Sequence, residues 1–362
     1  MFIRFIILTF SISSVFTQIN YDYSGNILFG TINRTSDASL IKVPFRFINF
    51  NTSIEYNSFM LKSNLALEVS LSDETMRIDN RELYLSWYPS FGEVRIGKQI
   101  NNWGVGSTNS PLDILTPVNY YYFFSRGIEK NIGTLSLAVD GYFSNYKVGL
   151  VYLFEHQPHY LPLDDPEMPI TIDSLPENLK IENIKQPRQF GINFVAPIHN
   201  IDITLSYFNG YDHLMSLFGA SLWTDSVFEN FGSYVDTVLS YRSSEVFGTG
   251  VSTFIGEIRI NSEIAYYKTT DNIDDDLDIL RGFNGQYENI CTSEAIFIVE
   301  QNGWDPCIPI QDTYYGLATN ASYYEYLVEF EYPNFICDIT FIGQFLFYEL
   351  LDISKGLHPN EV

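Results

Sequence analysis

Alternation constrains this chain more than any other feature. Segment after segment places apolar residues at every second position with polar residues between them, and only an extended strand sorts such a pattern onto two opposite faces. In residues 64–71, Leu65, Leu67, Val69 and Leu71 share one face, while Asn64, Ala66, Glu68 and Ser70 share the other. Further on, Tyr324, Tyr326, Val328, Phe330 and Tyr332 oppose Tyr323, Glu325, Leu327, Glu329 and Glu331. The same division separates Ile201, Ile203, Leu205 and Tyr207 from Asp202, Thr204 and Ser206, and Ile258, Ile260, Ile264 and Tyr266 from Glu257, Arg259, Asn261 and Glu263. A soluble sandwich also alternates, but its solvent face usually carries more lysine than these polar faces do.

The pattern predicts strands near 25–33, 43–56, 59–72, 78–88, 92–100, 132–143, 146–155, 188–196, 200–209, 215–223, 232–243, 246–255, 256–269, 319–332 and 335–350. The expected fold class is all-β: an antiparallel transmembrane β-barrel of roughly 14–16 strands, a porin-sized wall. Short links such as 90–92 and 197–200 alternate with long loops at 156–187 and 270–318, as expected when turns lie on the periplasmic side and loops on the other. After residue 16 no apolar stretch approaches the ~18 residues a membrane helix needs, so any span is made of strands. No Pro/Ser/Gly linker divides the chain, and 18–362 reads as one domain.

Ahead of it, Met1 to Arg4 and the apolar run Phe5 to Phe16 have the form of a secretory signal peptide over 1–17, cleaved near Thr17 or Gln18. Export opens an oxidising compartment to the cysteines. Cys291 and Cys307 lie in the acidic loop that also holds Asp274, Asp275, Asp276 and Asp278. A disulfide between them would close a loop of about 15 residues, worth roughly 3 kcal/mol in the chain-entropy model. Cys337 is left over in a strand. Twenty Lys and Arg against 44 Asp and Glu give a formal charge of −24, which repels phosphate backbones and sets nucleic acid aside as a partner. The 26 Tyr and 29 Phe suit strands that need rings at membrane interfaces.

The most informative block runs from Arg81 to Asn119. The strand Arg81, Glu82, Leu83, Tyr84, Leu85, Ser86, Trp87, Tyr88 leads into Val94, Arg95, Ile96, Gly97, Lys98, Gln99, followed by Trp103-Gly104 and a non-strand stretch with Ser107, Ser110, Pro111, Asp113, Thr116, Pro117 and Asn119. It ends in the aromatic run Tyr120 to Phe124. This block resembles the Arg-Glu-x-Tyr, Gly-Lys-Gln, Trp-Gly, Asp and Pro-x-Asn succession of uncharacterised bacterial outer-membrane porin-like barrels, whose wider kin include alginate-export-type barrels. About forty residues carry the resemblance directly. It implies a barrel with an inward-folded segment, here 102–126, and transport only by analogy.

On the facing strands, Glu82, Tyr84 and Ser86 share one face, as do Arg95, Gly97 and Gln99. Pairing of Glu82 with Arg95 or with Arg81 would fix the segment after Trp103 inside the pore, and Gly104 and Gly106 would permit the inward bend. The constriction expected from these readings comprises Arg81, Glu82, Tyr84, Arg95, Gln99, Trp103 and Asp113. The bland alternative makes the charges rigidify the wall and Trp103 a ring of the interface belt. Inner-face acids Glu68, Glu257, Glu263, Glu325, Glu329 and Glu331 favour cations or neutral solutes over anions. That departs from an alginate-type exporter, whose polyanion calls for Lys and Arg.

The reading is an outer-membrane channel of a bacterial cell that passes small hydrophilic solutes by diffusion, with a weak preference for cations. Its expected partners are outer-membrane lipid and lipopolysaccharide, and a second copy in a homo-oligomer. A barrel plugged by its long loops, serving attachment or export, and a secreted soluble β protein are the competing readings. No Ser and His stand in a short catalytic motif, and no enzyme, cofactor or metal is expected. His156 and His159 are close in sequence, in a Pro-rich loop, and read as a surface pair rather than a zinc site. The tail Asp352, Lys355, Gly356, His358, Pro359 and Val362 lacks the aromatic end of a closing strand. Either closing hairpins are missing from the sequence or an earlier strand closes the wall and the tail is a loop.

Overall fold

The computed structural model describes residues 19–355 apart from 29–31, 73, 108, 124, 126, 164, 166, 168–178, 182–183, 185–186, 226–231, 271–311, 317–318 and 337–338. The signal peptide and the Cys291–Cys307 pairing lie outside the described residues. Thirteen strands form one sheet: β1 (Ile19–Ile27), β2 (Phe45–Tyr56), β3 (Phe59–Ser70), β4 (Thr75–Trp87), β5 (Gly92–Gln99), β6 (Thr134–Phe143), β7 (Tyr146–Leu153), β8 (Gln189–Ile198), β9 (Ile201–Tyr211), β10 (Ser243–Ile255), β11 (Ile258–Thr270), β12 (Thr319–Ile336) and β13 (Ile339–Lys355). Each pairs antiparallel with the next, so the wall is an up-and-down meander. Among the described residues β1 and β13 are the two edges of this sheet and are not paired with each other.

Links alternate between the two ends of the wall. At one end β2 to β3, β6 to β7, β8 to β9 and β10 to β11 are joined by two residues each, and the first of each pair is left-handed: Asn57 (φ 53°), Ser144 (φ 57°), His199 (φ 58°) and Gly256 (φ 63°). Such turns match the strands' own twist, which is why so short a link closes them. At the other end the chain leaves the wall for long excursions after β5, β7, β9 and β11. Two expected wall strands belong elsewhere. Residues Ser216–Asp225 and Gly232–Ser240 pair with each other and with Leu179–Ile181 and Asp312–Gly316 in a separate four-stranded sheet. β9 pairs directly with β10 across that excursion, from Ile201 against Thr253 to Tyr211 against Ser243.

The faces of the wall are inverted relative to a water-soluble sheet. On β3 the buried residues are Asn64, Ala66, Glu68 and Ser70, while Phe59 and Leu61 are exposed. The contrast holds across strands: Ile96, Leu205 and Phe247 are 49%, 50% and 49% exposed, whereas Gln99, Ser136 and Glu329 are fully buried. Burying a large apolar side chain is worth about 1.5–3 kcal/mol, so a surface of this kind gains most against lipid rather than water. Rings gather toward the short-turn end, where Phe59 stacks on Trp87 at 6.5 Å and Trp87 meets Phe91 edge-on at 6.4 Å. Tyr142, Phe143 and Tyr146 are exposed on the neighbouring hairpin. This is where a membrane-interface girdle of aromatic residues belongs.

Two irregularities in register aim arginines inward. Between β2 and β3 the pairing passes from Arg46–Glu68 to Ile48–Leu67, and between β3 and β4 from Asn64–Glu82 to Leu65–Asn80. The extra residue in each strand breaks the two-residue period. As a result the sequence neighbours Arg81 and Glu82 are both buried, at 3% and 5% exposed.

Candidate functional site

The link between β5 and β6, residues 100–133, turns into the space the wall encloses and is held there at every stage. At its start the Ile100 N–H donates to Glu82 (3.1 Å), and the Asn101 amide donates to Ser136 Oγ (3.0 Å). The Asn101 carbonyl accepts from Thr116 Oγ1 at 2.8 Å, which folds the segment back on itself. Gln99, fully buried, donates to the Ser136 carbonyl at 3.1 Å.

Two wall carboxylates bind the middle of the segment. Glu263 on β11 accepts the N–H groups of Val105 (2.5 Å) and Gly106 (2.7 Å) and the hydroxyl of Ser110 (2.5 Å). Glu329 on β12 accepts the Ser107 N–H (3.0 Å) and hydroxyl (2.6 Å), the Asn261 amide (2.7 Å) and the Gln344 amide. A buried charge is costly unless its lone pairs are filled, and here backbone and side-chain donors fill them. Tyr267 adds a hydrogen bond to the Pro111 carbonyl at 2.8 Å.

Apolar contacts complete the seat. Leu112 and Leu115 are fully buried and cluster with Ala138, Val151, Leu153, Phe208 and Val246 of the wall. Glycines on the inner face make the room. A Cβ on Gly248 would fall 2.1 Å from Leu112 Cδ2, and one on Gly191 would fall 2.4 Å from the Trp103 ring. Trp103 therefore packs inside the wall and is not an interface-belt ring. Gly104 itself is needed at the bend, where a Cβ would meet Ser110 Oγ at 1.9 Å.

The last part of the segment meets the arginines of the bulged strands. Arg46 lies 3.9 Å above the Tyr122 ring and pairs with Asp79 (3.1 Å) and Glu129 (3.3 Å). Arg81 also pairs with Glu129, at 3.2 Å, and Tyr122 donates to Glu68, which in turn pairs with Arg77. The expected pairing of Glu82 with Arg95 does not form, nor does Glu82 pair with Arg81. Arg95 sits opposite Ser86, four residues along β4 from Glu82, or ~13 Å at strand rise. It pairs with Asp140 at 3.0 Å instead. Tyr84 lies on the same inner face, with the Lys62 ammonium 5.5 Å from its ring. Glu257, expected on the inner face, is exposed in the Gly256–Glu257 turn.

The 156–165 stretch straps this arrangement down. Tyr160 exchanges backbone hydrogen bonds with Val118 (2.9 Å) and Tyr120 (3.0 Å), and Tyr121 donates to Asp165 at 2.8 Å. His156 and His159 are not a surface pair. Their rings lie 5.7 and 5.4 Å from that of His213, and one nitrogen of each meets the backbone: His159 Nδ1 accepts the Val118 N–H at 2.9 Å, and His156 Nε2 donates to the Asp212 carbonyl at 2.8 Å. His213 meets the carbonyls of Gln157 (2.7 Å) and Ile114 (3.0 Å). Burial, and then the neighbouring imidazoles, lower the pKa of His159 to about 4 and of His213 to about 3, outweighing the carbonyl contacts that favour the charged form of His213. Asp113 goes the other way. Burial pushes its carboxyl up to about 7, against the opposing pull of Thr116 and Lys130.

Of the expected constriction residues, Glu82, Gln99, Trp103 and Asp113 meet on or beside the segment. Arg81 joins it through Glu129, and Arg95 stands apart near the short-turn end. Sequence reasoning placed Glu263 and Glu329 on the inner face but missed that they seat the segment. The signal was present in the glycines at 191 and 248, which fall at positions where an inner face has something to admit.

No family model and no curated protein matches this chain. Among solved structures it is similar to a loop-deletion mutant of OmpT, an outer membrane protein of Vibrio cholerae, at 11% identity over 92% of this chain and 95% of that one (TM-score 0.38). It is also similar to an anion-selective porin from Comamonas acidovorans, at 10% identity over 92% and 79% (TM-score 0.42), and to the outer membrane channel DcaP of Acinetobacter baumannii, at 6% identity over 92% and 95% (TM-score 0.37). The barrel reading rests on the meander, the alternating link lengths and the inverted faces of this chain itself.

Proposed function

We propose that this chain is a bacterial outer-membrane channel that passes small hydrophilic solutes by diffusion, with a weak preference for cations. The observation that carries the reading is the combination of a lipid-suited exterior with a polar interior crossed by a segment bound to both sides of the wall. Filtering is then by size and charge. The arginines of β2 to β5 each face carboxylates, whereas the hydrogen-bond donors to Glu263 and Glu329 on the other side are neutral. Lipid and lipopolysaccharide are the natural surroundings of the exterior.

A reversal potential measured across a KCl gradient tests the charge preference. The expected sign is that of a cation-preferring pore. Arg95→Ala removes one guanidinium beside Asp140 and Glu93 and should move the potential further in the same direction. A wild-type potential of anion-preferring sign would overturn this part of the proposal. The second reading, a plugged barrel serving attachment or export, draws on the complete burial of Leu112 and Leu115 and on the 156–165 strap. A folded protein that never conducts would favour it.

A further inference from the structure

The inner face of β1 to β3 carries a patch of side-chain amides. In the strand ladder Ser24 stands opposite Asn51 and Asn51 opposite Asn64, with Asn26 opposite Asn49 two residues along. Residues directly opposite share a face, their Cβ atoms about 4.5–5.5 Å apart. These five side chains line a cavity of about 280 Å³. At ~30 Å³ per water this is the volume of roughly nine waters, the size class of one sugar ring. The two charged residues on its wall, Arg81 of β4 and Glu129 of the inward segment, pair with each other at 3.2 Å, and Glu129 also pairs with Arg46. Charges that offset one another in this way select neither a cation nor an anion.

A second observation points independently to a ligand. Asn49 and Asn64 are 7% and 6% exposed, yet the Oδ1 of each has no hydrogen-bond partner. Buried amide oxygens ordinarily receive a hydrogen bond. An amide sets an acceptor and a donor side by side on one plane, and a hydroxyl answers either, because it both accepts and donates. An ammonium only donates and a carboxylate only accepts, and each loses its hydration on entering a cavity whose own charges are already paired.

We propose that this cavity is a subsite for a neutral monosaccharide, its hydroxyls donating to Asn49 Oδ1 and Asn64 Oδ1 and exchanging hydrogen bonds with Ser24, Asn26 and Asn51. Several hydroxyls on one compact ring match amides presented from three adjacent strands, which a ligand with a single polar group does not. Phe50, between Asn49 and Asn51 in sequence, is 44% exposed on the opposite, lipid-suited face, so the sugar is a free solute of the lumen rather than the headgroup of a glycolipid. The proposal deepens the channel reading, on which it rests only for how the sugar reaches the inner face.

Saturation-transfer NMR on the folded full-length protein, in a detergent without sugar groups and with glucose as the probe, tests it. Saturable binding is expected, weakened at least fivefold in Asn49→Ala and in Asn64→Ala. It should be unchanged in Asn193→Ala, which removes an equally buried inner-face asparagine on β8. The charged analogues glucosamine and gluconate should bind more weakly than glucose. Heat-modifiable gel mobility confirms that each variant is folded. No saturable transfer, which is the result if the amides carry only water, overturns the proposal. So does an equal loss in Asn193→Ala, or binding of either charged analogue as tightly as glucose. The readout is separate from conductance: binding without conductance leaves the site standing while the diffusion reading falls, and conductance without binding does the reverse.

Discussion

Replacing Glu329 by alanine removes the acceptor for three side-chain donors and one backbone N–H at the point where the inward segment meets β12. Hydrogen bonds to a charged group contribute about 1.5–3 kcal/mol each, and those of one carboxylate do not add fully. Two of the four donors belong to Ser107, so the hold on the segment should weaken by about 3 kcal/mol, which is about a hundredfold in its opening equilibrium. Hydrogen–deuterium exchange read on peptides spanning 104–110 measures that opening directly. The Ser107 amide should exchange about a hundredfold faster in Glu329→Ala, with Glu329→Gln in between because it keeps an acceptor but loses the charge. Wall amides of β11 and β12 should keep their protection, since their ladder is intact. Wild-type protection of residues 104–110 in Glu329→Ala would refute the anchoring role.

Gly248→Ala puts a Cβ against fully buried Leu112 and should destabilise the folded barrel by about 1–3 kcal/mol in urea titration, with Leu112→Ala in the same chain restoring part of the loss. Asp113 has a folded pKa of about 7 against 3.8, so the folded state holds a proton that the unfolded state has lost between those values. Stability therefore falls as pH rises through that window, and Asp113→Asn should flatten the slope in urea titrations between pH 4 and pH 7. Ionisation above about 7 adds a negative charge beside the lumen, so the cation preference in bilayers should rise from about pH 6 to about pH 8 in wild type and not in Asp113→Asn. For His159 and His213 the folded pKa is depressed below 6.5, so their contribution is present above that value and is lost as pH falls toward about 4 and about 3. Each unit removes up to ~1.4 kcal/mol per imidazole. Exchange at Tyr160 should accelerate on acidification, and His213→Ala should remove much of that dependence.

The wall was legible because its signal is local. Alternation at 59–72 became β3 at Phe59–Ser70, and the break at Asn57-Ser58 became its turn, each from neighbours two residues apart. Pairing partners are not local. Residues 215–223 and 232–243 read as wall strands by period alone, yet they serve another sheet, because nothing in their alternation states which edge they join. The bulges that turn Arg46 and Arg81 inward were hidden for a related reason: a register shift shows only when two strands are laid side by side. The block from Arg81 to Asn119 did mark the inward segment. Its anchors lay far off in sequence, Glu263 and Glu329, and an inner-face carboxylate that seats a segment looks the same in sequence as one that lines a pore.

Single-channel recording of the wild-type protein in planar bilayers, beside Glu329→Ala, tests the central claim most directly. The account predicts discrete, steady conductance steps in the wild type and larger or flickering steps once the segment is loosened. Folded, heat-modifiable protein that gives no steps in either form would contradict a diffusion channel narrowed by residues 100–133.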